Sequence, residues 1–325
     1  MDRLVSDERL SEADIVARVR MTLDTGKYAE AQLAARYLPL GQMPDTKTLE
    51  RIVAAPLKYL TKLPADLEHN RKSREAALFA VLRYARKDAA DAARRWSDIE
   101  GHFDVEERGY VWGQLALQAA RAHMGEALAW YDKAGTAPLS EDQQAWRVRA
   151  ALRELDWPAV LAAIARMPEC LAARPDWVYW RARALSALGS AQEATGLYQT
   201  ICAQPGFYGL LAAEELGLPL SLPPRATAAS ADELAKAAAN PGLRQALALF
   251  RLDMRTEAVR TWHWSVREMD DRSLLAAAQL ARRNHIFDRT ISTAVRTLAE
   301  HDFSLRYLAP YRDSVSPRAR APAVD

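Results

Sequence analysis

The chain reads as an all-α protein, and three observations lead to that reading. Half of its 325 residues are apolar, which is enough to bury a sizeable core and to build more than one domain. Alanine, leucine and arginine dominate while β-branched residues are sparse, a balance that favours helix over sheet. A spacing of turn, alanine and aromatic residues also recurs along the chain, as expected of stacked helix pairs.

The repeat is clearest in YWRARALSALGSAQEATGLYQTICAQP, where Gly189 is followed by Ala194, Tyr198 and a closing Pro205. Gly26, Ala31 and Ala35, ended by Pro39, repeat it near the start. The same register appears in Lys87, Ala92 and Trp96, in Ala122, Ala127 and Tyr131, and in Asp253, Ala258 and Trp262. From Lys87 to Gly189 the turn positions fall at 87, 122, near 156 and at 189, steps close to the roughly 34 residues of a tetratricopeptide-like pair. In such a unit the small alanine admits a neighbouring helix and the aromatic fills the space between pairs. No pair buries its apolar face alone, so the expected architecture is a right-handed superhelix, an α-solenoid of TPR-like pairs, curved or ring-forming. Trp96, Trp130, Trp146, Trp157, Trp177 and Trp180 are accordingly read as interhelical packing rather than as platforms for stacked sugars.

Two stretches break the register. PLGQMPDTKTLERIVAAPLKYLTKLP, residues 39–64, has four prolines and reads as loops around one or two irregular helices. LPLSLPPRATAASADE, residues 218–233, has three prolines and a run of small residues, making it the best domain boundary. The expected organisation is a superhelical domain over 1–222, a smaller helical domain over 223–313 and an exit segment over 314–325.

Composition excludes several classes of function. With 44 Lys+Arg against 42 Asp+Glu the formal charge is +2, so no global field argues for nucleic acid or an anionic membrane. The basic runs at Arg71-Lys72-Ser73-Arg74 and Arg318-Ala319-Arg320 read as solvated faces. No stretch of roughly eighteen uncharged apolar residues is present to span a membrane, and MDRLVSDERLSEADIV lacks the apolar run of a signal peptide. Cys170 and Cys202 make no metal motif and are read either as free thiols or as one bridge between neighbouring helices. His69, His102, His123, His263, His285 and His301 show neither HExxH nor paired-ligand spacing, and no GxxxxGK[ST] or GxSxG is found. No metal and no cofactor is expected.

FYGLLAAEELG, residues 207–217, sets an aromatic pair and two adjacent carboxylates on one helix-like segment. Glycosidic cleavage needs a carboxylic acid of raised pKa, often with a second carboxylate across the sugar. Glu214 and Glu215 are neighbours, so on a helix they point about 100° apart and cannot face one cleft. Glu106-Glu107 and Asp270-Asp271 fail in the same way, while Glu154 and Glu193 fall on polar faces. The segment reads as a joint: Phe207 and Tyr208 pack on the preceding pair, Ala212 and Ala213 let helices close, Glu214 and Glu215 face water or an arginine, and Gly217 ends the helix.

With the proline-rich link that follows it, FYGLLAAEELG resembles the soluble lytic transglycosylases, periplasmic enzymes that cut peptidoglycan glycan strands. RQALALFRLDMRTEAVRTWHWSV, residues 244–266, and HDFSLRYLAPYRDSV, residues 301–315, add to the resemblance, which covers most of the chain. It implies a U-shaped superhelical domain followed by a linker domain, together forming a ring-like body that carries a lysozyme-like catalytic domain. The intact family enzymes cleave between N-acetylmuramic acid and N-acetylglucosamine to leave 1,6-anhydro ends. The family's catalytic acid stands in a Glu-Ser dipeptide, which this sequence lacks, so the resemblance implies the scaffold and no catalytic residue. Its partners would be glycan strands and its own catalytic domain. A protein-binding repeat scaffold with a partner in its concave groove is the alternative, and no ligand-binding residue is assigned. A periplasmic location implies that Met1 is an added start, which leads to the expectation of an exposed apolar helix face near residues 4–23.

Overall fold

A computed structural model describes residues 9–39, 41–219 and 223–311. All regular structure among them is helical, apart from one isolated parallel bridge between Arg225 and His301. The contacts divide the chain between Pro219 and Leu220 into two compact units. The basic run at Arg318-Ala319-Arg320 and the expected exit segment lie outside the described residues, as do Leu4 and Val5.

The first unit runs α1 (Glu12–Asp24), α2 (Tyr28–Ala35), α3 (Thr46–Ala54), α4 (Pro56–Leu60), α5 (Arg71–Ala85), α6 (Ala89–Ile99) and α7 (Val105–Arg121). It continues through α8 (Ala127–Lys133), α9 (Glu141–Arg153), α10 (Trp157–Ala165), α11 (Glu169–Ala172), α12 (Pro175–Ala187), α13 (Ala191–Ile201) and α14 (Phe207–Glu215). The proline-rich stretch at 39–64 holds the two short helices α3 and α4, as its prolines suggest. Helix starts are written in short polar signals. Ser11 with Asp14, Asp104 with Glu107 and Ser140 with Gln143 each form a capping box, which satisfies amides that a first turn leaves without partners.

Helix ends repeat one device. Gly26, His123, Leu155, Gly189 and Gly217 take left-handed backbone with φ of 76°, 57°, 54°, 89° and 66°. The amide after each donates to the carbonyl five residues earlier, as Ser190 does to Leu185 at 2.9 Å, closing the helix and reversing the chain. The turn expected at Ala122 is therefore carried by His123, and the one near 156 by Leu155. At Lys87 no left-handed residue occurs; Asp88 instead caps α6 by accepting from the Asp91 amide.

The residues placed five and nine positions beyond the turns are inside. Ala31, Ala92, Trp96, Ala127, Tyr131, Ala194 and Tyr198 are all buried, while Ala35 is half-buried. Counting from the observed turn at Leu155 adds Val160 and Ile164, both buried. The core is a succession of local clusters, one around α1–α8, the next around α9–α12 and the last around α12–α14. Helix α5 is the most enclosed, with Ala76 through Leu82 buried in one run and contacts to α1, α3, α4, α6 and α7.

Among the tryptophans, Trp96, Trp130 and Trp177 are buried, and Trp146, Trp157 and Trp180 pack at the edges of the same clusters. The expected apolar face on the first helix is not exposed where the structure describes it. Ile15, Val16, Val19 and Leu23 are buried against Leu38, α2 and α5, and only Met21 among the large apolar residues of α1 lies open.

Phe207-Tyr208 departs from its reading in one respect. Tyr208 packs beside Tyr179 at 5.6 Å between centroids, but Phe207 is 69% exposed and touches only the edge of Tyr208. Being the first residue of α14, it has no helix turn behind it to press it inward. The fixed point of the joint is Gly209: a Cβ there would lie 2.1 Å from the Gln204 carbonyl and 2.8 Å from that of Ile201. Only a residue without a side chain lets α14 approach the end of α13 so closely.

The second unit contains α15 (Ala231–Ala239), α16 (Pro241–Arg251), α17 (Arg255–Ser265), α18 (Asp271–Arg283), α19 (Phe287–Ala294) and α20 (Phe303–Arg306). Asp253 and His285 carry the left-handed turns of α16–α17 and α18–α19, each with φ 58°. Ala258 and Trp262 after the first, and Thr290 and Ala294 after the second, are buried, so the register persists in this unit. Trp262 Nε1 donates to Thr293 Oγ1 at 2.9 Å and ties the two pairs together. Arg272 pins the segment leading into α15: it donates to both oxygens of Glu233 at 2.8 and 2.7 Å, to Glu300 at 3.2 Å and to the Thr227 carbonyl at 2.9 Å. The Ala226 amide adds a bond to the His301 carbonyl at 2.9 Å.

Two outcomes follow from these contacts. Gly209→Ala forces backbone apart at α13–α14, and thermal unfolding will register a loss of about 1–3 kcal/mol. The Arg272 guanidinium and the Ser230 cap hold the Glu233 carboxyl down at about 2. Because that folded value lies below the unfolded one, the pair's contribution is complete above an ordinary glutamate pKa and fades as pH falls toward 2. The melting temperatures of the parent protein and Glu233→Gln will therefore differ at neutral pH and converge in acid.

Candidate functional site

The carboxylates singled out by the sequence are dispersed: four serve the fold and four face solvent. Glu107, 5% exposed, completes the capping box of α7 and accepts from Arg74 Nε at 3.1 Å, whereas Glu106 faces solvent. Glu215 accepts from Arg183 at 2.9 Å and from the Tyr179 hydroxyl at 3.2 Å, and Glu214 is exposed. Burial, reinforced by Glu215, pushes the Tyr179 phenol up to about 12. Asp270 caps α18, while Asp271 accepts the amides of Leu298, Ala299 and Glu300 at 3.0, 2.7 and 2.9 Å. Burial pushes the Asp271 carboxyl up, but the three amides together outweigh it and leave its pKa lowered. Glu154 and Glu193 are exposed.

The histidines are equally separate. His301 is buried against Thr297, with its pKa lowered by burial and by Arg306. His102 lies 2.9 Å from Glu68, and His123 and His285 occupy turns. Among the described residues, no group of three His, Cys, Asp or Glu side chains is placed to hold a metal ion. Cys170 is an exposed free thiol and Cys202 a half-buried one, so of the two cysteine readings the structure has the unbridged one.

One cluster escaped the sequence reading. Arg20 on α1 donates through Nε and Nη2 to both oxygens of Glu75 on α5, at 3.0 and 2.6 Å, and lies 4.8 Å over the ring of Tyr110 on α7. The Tyr110 hydroxyl donates to Asp24 at 3.2 Å. Burial pushes the Asp24 carboxyl up, against the hydroxyl and Arg86, which pull it down. The partners lie 55 and 86 residues apart, so no local spacing announces them. Each acid has its donor, and the cluster joins three helices.

Each unit has a concave surface among its described residues. In the first, Tyr28, Ala29, Leu33, Leu49, Val53 and Ala54 of α2 and α3 line a mainly apolar groove of about 670 Å3. In the second, Leu247, Phe250, Ile286 and Phe287 floor a groove of about 490 Å3, with Arg251, Arg255, Asn284, His285, Asp288 and Tyr311 around it. The turns at Asp253 and His285 end neighbouring helix pairs, and that places RLDMR beside NHIFD at this groove. The repeat register beyond Asp253, carried on to His285, is the signal that would have located it.

The family model described as the soluble lytic murein transglycosylase L domain matches residues 236–299. Three solved structures are similar across nearly the whole chain. An inactive mutant of the lytic transglycosylase Slt from Pseudomonas aeruginosa is 22% identical with a TM-score of 0.67, over 98% of this chain and 52% of that one. The 70 kDa soluble lytic transglycosylase from Escherichia coli is 19% identical with a TM-score of 0.60, over 100% and 52%. A complex of the 70-kDa soluble lytic transglycosylase with bulgecin A is 19% identical with a TM-score of 0.58, again over 100% and 52%. The chain thus spans about half the length of the structures it matches and shares their superhelical all-α fold. No curated protein matches it significantly. No described helix is long and apolar enough to cross a membrane.

The buried Arg20–Glu75 pair yields a stability test. Glu75 is 3% exposed, and Glu75→Ala leaves the Arg20 charge inside without its acid. The expected loss is about 3–5 kcal/mol, read as a fall in melting temperature that Arg20→Met introduced alongside largely reverses.

Proposed function

We propose that this chain, whose residues 236–299 match the soluble lytic murein transglycosylase L domain, is the helical scaffold of a periplasmic enzyme of peptidoglycan turnover. In this reading residues 1–222 are the superhelical domain, residues 223–313 the linker domain, and residues 314–325 lead toward a lysozyme-like catalytic domain. The scaffold holds that domain at fixed geometry and offers glycan strands a surface, while cleavage to 1,6-anhydro ends belongs to the catalytic domain.

The observation that carries the reading is the L-domain match inside a fold that nearly the whole of this chain shares with about half the length of lytic transglycosylases. The acids support a role without chemistry, since Glu107, Glu215, Glu233 and Asp271 are each committed to caps or to arginine and amide donors. A second reading, recruitment of a protein partner, is favoured by the apolar groove between α2 and α3, where Leu33 is 53% exposed. Such a surface suits an apolar partner rather than a glycan.

Sedimentation with insoluble murein sacculi separates the two. The scaffold reading expects the purified chain in the pellet and no 1,6-anhydro products in solution. A chain that stays in the supernatant, or turnover that a single acidic substitution abolishes, overturns it.

A further inference from the structure

The groove in the second unit combines features that a single class of ligand satisfies together. Its floor is apolar, built from Leu247, Phe250, Ile286 and Phe287. Its wall is aromatic: the Tyr311 ring stands edge-on to Phe287 at 6.3 Å and is 66% exposed, leaving a face free for stacking. His285 stands edge-on to Phe287 at 5.8 Å between centroids, and Arg255 covers Phe250 at 5.9 Å.

The polar groups divide into committed and uncommitted ones. Arg255 is paired with Asp288 at 2.7 Å, and Asp288 also meets Arg289 at 3.2 Å. Asn284 spends its amide N–H on the Leu280 carbonyl at 2.9 Å, which leaves Oδ1 to accept. The Arg251 guanidinium, the His285 ring nitrogens and the Tyr311 hydroxyl have no hydrogen-bond or ion-pair partner among the described residues. One unpaired guanidinium thus lines the groove together with the Asn284, His285 and Tyr311 side chains and the aromatic rings.

Each simpler ligand leaves part of this lining unused. A purely apolar molecule would take the uncommitted groups away from water without replacing its bonds. An inorganic anion would meet Arg251 and ignore the rings. A polyphosphate would require several free cations, and the groove offers one. A pyranose presents an apolar face for an aromatic ring and hydroxyls for Asn284 and His285, and a single carboxylate on it would match the unpaired guanidinium.

We infer that this groove is a binding site for a carboxylate-bearing sugar, with Tyr311 as the stacking ring and Arg251 as the carboxylate ligand. The site deepens the peptidoglycan reading and rests on it for the source of the sugar: N-acetylmuramic acid carries a lactyl carboxyl, which is a free carboxylate only in glycan whose stem peptide has been removed, so the groove selects peptide-free units. Asp288, the one carboxylate among the described residues of the groove lining, is held by two arginines.

The test is calorimetric titration of the full chain with N-acetylmuramic acid, N-acetylglucosamine and D-lactate, repeated on Arg251→Gln and Tyr311→Ala. The expected result is that N-acetylmuramic acid binds at least about tenfold more tightly than either of the others. Arg251→Gln removes the difference between the two sugars, and Tyr311→Ala weakens both. Absence of binding, equal affinity for the two sugars, lactate binding as tightly as the acidic sugar, or a preference that survives Arg251→Gln overturns the inference. Should the chain still sediment with sacculi under any of those results, the groove assignment fails alone and the scaffold reading stands.

Discussion

Everything in this molecule follows from the thinness of a helix pair. Two helices joined by a tight turn have one apolar side between them and another left over, which only the next pair can cover. The chain meets this constraint with one turn, used at Gly26, His123, Leu155, Gly189, Asp253 and His285, and with small or tightly fitted residues at fixed distances beyond it. Where two backbones must come closer than any side chain permits, the residue is glycine, as at Gly209 between α13 and α14.

Long-range polar contacts fix what packing alone leaves adjustable. In the first unit the Arg20–Glu75 and Tyr110–Asp24 contacts bind α1, α5 and α7. In the second, Arg272 collects Glu233, Glu300 and the Thr227 carbonyl around the start of α18. These groups resemble the raw material of an acid-base site, yet each is complete within the protein. Of the acids a reader would first suspect, Glu107, Glu215, Asp270 and Asp271 hold the scaffold together, while Glu106, Glu154, Glu193 and Glu214 face solvent.

The helical class, the pairing and the register were legible because they depend on local spacing: Gly189, Ala194 and Tyr198 state the rule within one pair of helices. The rule placed the turn at Asp253 but missed His123 and Leu155 by one position, and at Lys87 it named a turn that holds no left-handed residue. It passed over Val160 with Ile164 and Thr290 with Ala294, because the positions ask for a fit rather than for alanine and an aromatic. Phe207 was misread since an aromatic at a helix start resembles core in sequence but has nothing behind it in space. The Arg20 cluster and the Arg251–Tyr311 groove unite residues from separate turns, and no window of sequence contains them. Recognition of the family-like motifs supplied the architecture, whereas the groove required coordinates.

The successive cores of the first unit are joined by very few shared side chains. Leu128 packs against both the first cluster and the second, and Trp180 against both the second and the third. Cooperativity along the array must cross at such junctions, because neighbouring segments otherwise have separate interiors. The molecule can therefore yield one segment at a time when pulled or strained, absorbing deformation at its seams while each interior stays intact. Graded compliance of this kind protects the fold from failing all at once.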